Sequence, residues 1–209
     1  MKLSRKLAYA ALMLGTLPAV AMAGEAGTVY TQIGTNGLGL GYAKSVSQDW
    51  AVRGQYNTLN LSYTGDVSDT TSSGSAEVKI KFDSVQVLGD WYPGDGGFRL
   101  SGGVVFNNNK ITVNGTGTVN NVPNQTINAE IKMSDGIAPY VGIGYSTRPK
   151  DAKGFGFTYD LGVMFQNPKA SLTSSASAAD TAAQLAKMQD AVDKLKTMPV
   201  LAIGISYSF

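Results

Sequence analysis

Histidine and cysteine are both absent from this 209-residue chain, and each absence removes a class of chemistry. Without cysteine there is no disulfide framework and no thiolate nucleophile. Without histidine a triad hydrolase loses its imidazole base, and zinc sites, which are almost always built on His or Cys, lose their usual ligands. Paired carboxylates alone can still catalyse, so an enzyme acting on envelope lipid stands as the least favoured reading. The expectation is no enzyme, no metal and no cofactor.

Long apolar runs are also missing, with one exception at the start. Lys2, Arg5 and Lys6 precede an apolar stretch from Leu7 to Val20, and Ala21-Met22-Ala23 follows as an A-x-A cleavage site. Gly15, Thr16 and Pro18 interrupt that stretch, which falls short of the roughly 20 residues a spanning helix needs. Residues 1–23 therefore read as a cleaved secretory signal and 24–209 as one mature domain. If the mature chain crosses a bilayer it does so as a closed barrel, the other way to satisfy every backbone group in lipid. Charge is sparse, at 15% of residues, and the leader holds three of the 17 cations, leaving 14 against 15 acids. The mature chain is thus close to neutral, without the clustered basic surface of a nucleic-acid binder.

What the chain has in quantity is alternation. Leu201, Ile203, Ile205, Tyr207 and Phe209 alternate with Ala202, Gly204, Ser206 and Ser208, a strand with one apolar and one small or polar face. In a transmembrane barrel lipid covers the apolar face. Tyr207 and the terminal Phe209 resemble the assembly signal of bacterial outer-membrane barrels. Seven further strands precede this one: 28–33, 38–43, 50–63, 77–92, 98–113, 127–145 and 155–165. Asn36-Gly37 predicts a type I′ hairpin between the first two. A single bulged strand explains the parity switch there equally well, and the even strand number of bacterial barrels favours the hairpin. A second parity switch, between Asp83 and Ser84, predicts a bulge or the membrane boundary.

The connections alternate short (47–49, 93–96, 147–153) and long (64–76, 114–126, 168–198), as the periplasmic turns and external loops of such a barrel do. Trp50, Trp91, Tyr92, Phe98, Tyr145, Phe155 and Phe209 then gather at the short-turn end, and Tyr63, Phe82, Phe106 and Phe165 toward the loops. These are two expected aromatic girdles. Within the last loop, 176–196 changes period: Leu185, Met188, Val192 and Leu195 recur at helical spacing, an amphipathic helix that Pro199 should end. The fold expected is all-β: an eight-stranded antiparallel transmembrane up-and-down barrel with one short helix in its last extracellular loop.

Alternation also assigns charges to the lumen: Arg53, Asp90, Arg99, Glu130, Lys132 and Asp160, with Lys79, Lys81 and Asp83 higher up. A tight turn over Pro93–Gly96 would set Asp90 opposite Arg99 as a cross-strand ion pair. Eight strands leave an interior that side chains can fill. The network therefore reads either as a satisfied polar core or as a charged constriction selecting small zwitterions.

Several strings, in order, resemble the small outer-membrane barrels of the carbapenem-associated outer-membrane protein type (CarO, ornithine-uptake porin). They are Gly34-Thr35-Asn36-Gly37, the stretch from Asp135 to Gly144, Asn167-Pro168-Lys169, the acid-rich helical loop and Met198-Pro199-Val200. More broadly the chain resembles the barrels of the outer-membrane protein A, X and W and opacity groups. The resemblance implies an eight-stranded barrel, with passage of small amino acids or zwitterions as a suggested role. It also implies a bacterial outer-membrane location. The partners expected are outer-membrane lipid and lipopolysaccharide, periplasmic chaperones and the barrel-assembly machinery, with the barrel itself a monomer.

Overall fold

The computed structural model describes residues 27–68, 73–119, 122–146, 153–175 and 177–209. The expected leader and most of the 147–153 turn lie outside the described residues. Among these residues eleven strands run in chain order: β1 (Gly27–Gly34), β2 (Gly37–Ser45), β3 (Trp50–Ser68), β4 (Ser73–Trp91), β5 (Phe98–Asn107), β6 (Lys110–Val119), β7 (Val122–Lys132), β8 (Gly136–Ser146), β9 (Gly154–Phe165), β10 (Lys169–Ser174) and β11 (Thr197–Ser208). Among the described residues one helix, α1 (Ala178–Asp193), leads through a 3-10 turn at Lys194–Lys196 into β11.

Eight of these strands close into an antiparallel barrel in the order β1-β2-β3-β4-β5-β8-β9-β11, with β11 paired back to β1. They are the eight staves that alternation predicts. The first two form the expected hairpin, but its closing pair is Gly34 with Gly37. Thr35 and Asn36 are therefore the turn residues, and Gly37 supplies the positive φ of 95° just after them.

The remaining strands extend the staves beyond the barrel, as a sheet of order β3-β4-β6-β7-β10. Here the structure corrects the expected loops. Segments 64–76 and 114–126 are mostly strand: β3 and β4 stay paired from Trp50–Trp91 out to Ser68–Ser73, and β6 and β7 pair along the second segment. Polar residues on both faces read as loop, yet a ladder already nucleated in the barrel needs no core of its own to continue. β10, inside the expected 168–198 loop, is a strand the sequence did not disclose. Its outer edge is covered: the Ala170 N–H donates to Gln189 Oε1 of α1 at 2.9 Å, and Gln189 Nε2 donates to Pro168 O at 3.2 Å. The helix thus lies against β10. It begins at the N-cap Ser177, whose side chain accepts from the Asp180 N–H. It ends well before Pro199, which is paired within β11.

Apolar side chains of the barrel strands point outward, as with Phe157 at 74%, Ile203 at 66% and Ile137 at 62% exposed. Near the short-turn end Trp50 stacks on Trp91 at 6.4 Å, and Phe155 meets Tyr207 edge-on at 5.1 Å. Three expected girdle members are not there, the first being Tyr63, which pairs with Val78 and has the inward parity of Arg53 and Asn57. Tyr92 is buried and its hydroxyl bonds Ser146 Oγ at 3.0 Å, while Phe82 shares the inward parity of Ser84. Between Asp83 and Ser84 there is no bulge, because the β3–β4 register is unbroken. The strand keeps its register while its apolar residues change sides where it leaves the barrel. Consequently Lys79, Lys81 and Asp83 lie on the outward face, not above the lumen.

Inside the barrel, Leu88, Val105, Ala138, Tyr140, Met164 and Val200 form one buried apolar cluster across the lumen. Leu88→Ala is expected to cost about 2–5 kcal/mol, since such a layer cannot collapse onto the cavity left behind. The urea midpoint of the folded, heat-modifiable form would show it.

Candidate functional site

Below the apolar layer sits a cluster of four charges. Arg53 comes from β3, Asp90 from β4, Arg99 from β5 and Asp160 from β9, and none is more than 6% exposed. The Arg53 guanidinium spans the lumen. Its Nη1 and Nη2 donate to Asp160 Oδ2 and Oδ1 at 3.0 and 2.8 Å, a two-pronged contact, while Nε lies 2.9 Å from Asp90 Oδ2. Arg99 Nη2 donates to Asp160 Oδ1 at 2.6 Å, and its Nε stands 3.5 Å from Asp90 Oδ1. Neutral donors complete the set: Ser101 Oγ donates to Asp90 Oδ1 at 2.6 Å, and Gln32 Nε2 to Asp160 Oδ2 at 2.7 Å. Two guanidiniums and two carboxylates cancel in charge, and the planar forks fit carboxylates in a way lysine ammonium groups do not.

The pairing is not the one the turn predicts. β4 and β5 run in a register that sets Asp90 opposite Ser101, because their ladder closes on Trp91 with Leu100 and leaves Phe98 and Arg99 beyond it, two residues more on the β5 side than a turn centred on Pro93–Gly96 allows. Arg99 therefore reaches Asp90 diagonally. The strongest contacts of both arginines cross the lumen to Asp160, on a strand far away in sequence. Gln32 and Ser101 have no signal in the sequence beyond lumen-facing parity.

Glu130 and Lys132 are not in this cluster. They lie on β7, outside the barrel, where Glu130 Oε2 sits 3.4 Å from Lys110 Nζ and Glu130 Oε1 sits 3.8 Å from Lys132 Nζ. The cause is local. Between the pairs Asn107–Gly136 and Lys110–Lys132 one strand advances three residues and the other four. That extra residue flips every side chain of β7 to the other face. Nearby, hydrogen bonds from Lys169, and then Asn167, hold the Asp135 carboxyl below its ordinary range.

Two small cavities flank the cluster. One offers roughly 20 Å³ to water-sized molecules and is lined by Gln55, Asn57, Gln86, Tyr140 and Asp160 among others; the second offers roughly 10 Å³ and is lined by Thr28, Tyr30, Asp90, Arg99 and Ser206 among others. Arg53 borders both. About 10–15 Å³ on this measure holds a single water, so neither admits a solute of amino-acid size. Among the described residues no cluster of carboxylates could hold a metal ion, and no helix is long and apolar enough to cross a membrane.

Two crystal structures of CarO proteins from Acinetobacter baumannii share this architecture. The CarO structure matches at a TM-score of 0.59 with 23% identity, over 88% of this chain and 98% of that one. The CarO2 structure matches at a TM-score of 0.61 with 20% identity, over 89% and 100%. The chain has the CarO fold. No protein-family model matches the sequence, and no curated protein does. The likeness reaches nearly the whole of both CarO chains, so the extended sheet and the helix are included in the length compared. Local strings of the sequence point to the same fold.

Proposed function

We propose that this chain is a bacterial outer-membrane β-barrel whose lumen is closed by its own side chains, and whose exposed sheet and helix form its working surface. The CarO fold and the outward apolar band support the outer-membrane location. The closed lumen rests on one observation: Arg53, Asp90, Arg99 and Asp160 bond across the full width of the barrel while almost wholly buried, and the apolar layer lies next to them. Liposomes carrying the folded protein are expected to swell in glycine or ornithine no faster than empty ones. Swelling well above that baseline would overturn this reading.

A second reading is favoured by the cavities on either side of the cluster. They mark a route along the barrel axis that the four charges interrupt, so a cluster loosened enough to free Arg53, which borders both, would join them into a narrow passage for small zwitterions. Flux in the native protein that changes in Arg99→Ala supports the passage. Flux that is identical in the two proteins assigns it to another route.

A further inference from the structure

The outward face of the extended sheet carries lysines in a row. Lys81 on β4 is paired with Lys110 on β6, Lys110 with Lys132 on β7, and Lys132 with Lys169 on β10. Four adjacent strands thus present one lysine each along a single row across the sheet, with side chains 43–67% exposed. Like charges directly opposite on a sheet destabilise it, and the carboxylates present only partly offset them. Asp83 pairs with Lys81 at 2.7 Å and Asp135 with Lys169 at 2.9 Å. Glu130 is divided between Lys110 and Lys132 at 3.4 and 3.8 Å. Three carboxylates therefore serve four cations, and the two central lysines share one.

The level of the row matters as much as its charge. Lys110 lies four residues past Phe106, and Lys169 four past Phe165, the last outward aromatics on their staves. Four residues at about 3.4 Å each, tilted by about 40°, rise roughly 10 Å above that apolar edge. The polar headgroup layer is about 5–7 Å deep on each side of a bilayer, and a lysine stem lies along apolar surface while its ammonium reaches the polar zone. The row's backbone thus stands about 3–5 Å beyond the headgroup layer, and lysine side chains turned back toward the bilayer, as those of Lys81 and Lys169 are onto Asp83 and Asp135, reach into it.

We infer that the row Lys81–Lys110–Lys132–Lys169 binds the phosphate groups of a phosphorylated lipid headgroup in the leaflet around the barrel. This rests on the outer-membrane reading above. The spacing suits the ligand: neighbouring strands stand about 4.8 Å apart, so one phosphate contacts two ammonium groups at once, and a headgroup with two phosphates spans the row. A free anion would gain the same charge contacts but not the acyl chains packed on the adjacent apolar band, and for that reason the lipid is the occupant.

The test uses the detergent-purified full protein, with folding checked by its migration boiled and unboiled. Retention of diphosphorylated lipid A and of dephosphorylated lipid A is compared by native mass spectrometry. The native chain is expected to retain the phosphorylated form preferentially. Lys81→Gln, Lys110→Gln, Lys132→Gln and Lys169→Gln together should lower that retention more than tenfold, given roughly fivefold per lysine near a charged surface. Lys187→Gln with Lys194→Gln, on and just after α1, should leave it unchanged. Should the fourfold variant not fold, Lys110→Gln and Lys132→Gln singly must each weaken binding by about fivefold. Equal retention of the two lipids, an unaffected fourfold variant, an equal loss in the helix variant, or displacement by millimolar inorganic phosphate would each overturn the inference. A purified chain that stays monodisperse without detergent would instead sink the membrane reading, a distinct outcome.

Discussion

Replacing Asp160 by alanine is expected to destabilise the barrel by about 3–5 kcal/mol, the cost of leaving a buried charge without its partner. Asp160 accepts from Arg53 through two nitrogens, from Arg99 and from Gln32. Its loss leaves Asp90 alone between two guanidiniums, and the interior with an excess positive charge. Asp160→Asn should cost nearly as much, because the amide keeps the shape but removes the charge and turns a donor toward a donor. Ser101→Ala, which removes one neutral hydrogen bond to Asp90, should cost only about 1 kcal/mol. Urea unfolding of detergent-solubilised protein, followed by the boiled and unboiled gel forms, orders the three. An Asp160→Ala midpoint indistinguishable from that of Ser101→Ala would mean that water already reaches the cluster and that the lumen is not sealed.

Leu161→Arg separates lipid from water as the outer solvent. Leu161 is 48% exposed, in the middle of the outward face of β9, between Tyr159 and Val163. On a soluble protein an exposed leucine to arginine change is close to neutral, within about 0.5 kcal/mol. Against hydrocarbon near the midplane it costs about 2–4 kcal/mol. Folding titrations into lipid vesicles should therefore show a loss of that size for Leu161→Arg and almost none for Thr64→Arg, which sits on the polar extension of β3. Equal, small effects at both positions would remove lipid from the account and leave the outward apolar band unexplained.

The same rule that made the barrel readable caused the main errors. Alternation marks a strand wherever one face is apolar and the other is not, which holds for every barrel stave. It weakens where both faces are wet, so the outer halves of β3, β4, β6 and β7 read as loops and β10 went unseen. Parity also carries forward only while register is kept. The extra residue between β7 and β8 turned Glu130 and Lys132 outward, whereas β4, with a bulge or a boundary expected at Asp83–Ser84, has no bulge and passes there from barrel to extension, which leaves Lys79, Lys81 and Asp83 outward. The glycine-rich connection between β4 and β5 gave no clue to its true span, and that span set which residue faces Asp90.

Sequence alone determined the number of staves, their directions, and which side chains point inward over the part of each strand that lies within the barrel, because these follow from a two-residue period and from turn residues close by. Only the tertiary structure decided who meets whom across the lumen. Arg53 and Asp160 are 107 residues apart, on strands that are not neighbours, and their contact depends on ring closure and on the accumulated stagger of every ladder between them. The lysine row has the same origin: four residues scattered along the chain share one row of the sheet because three separate registers align them.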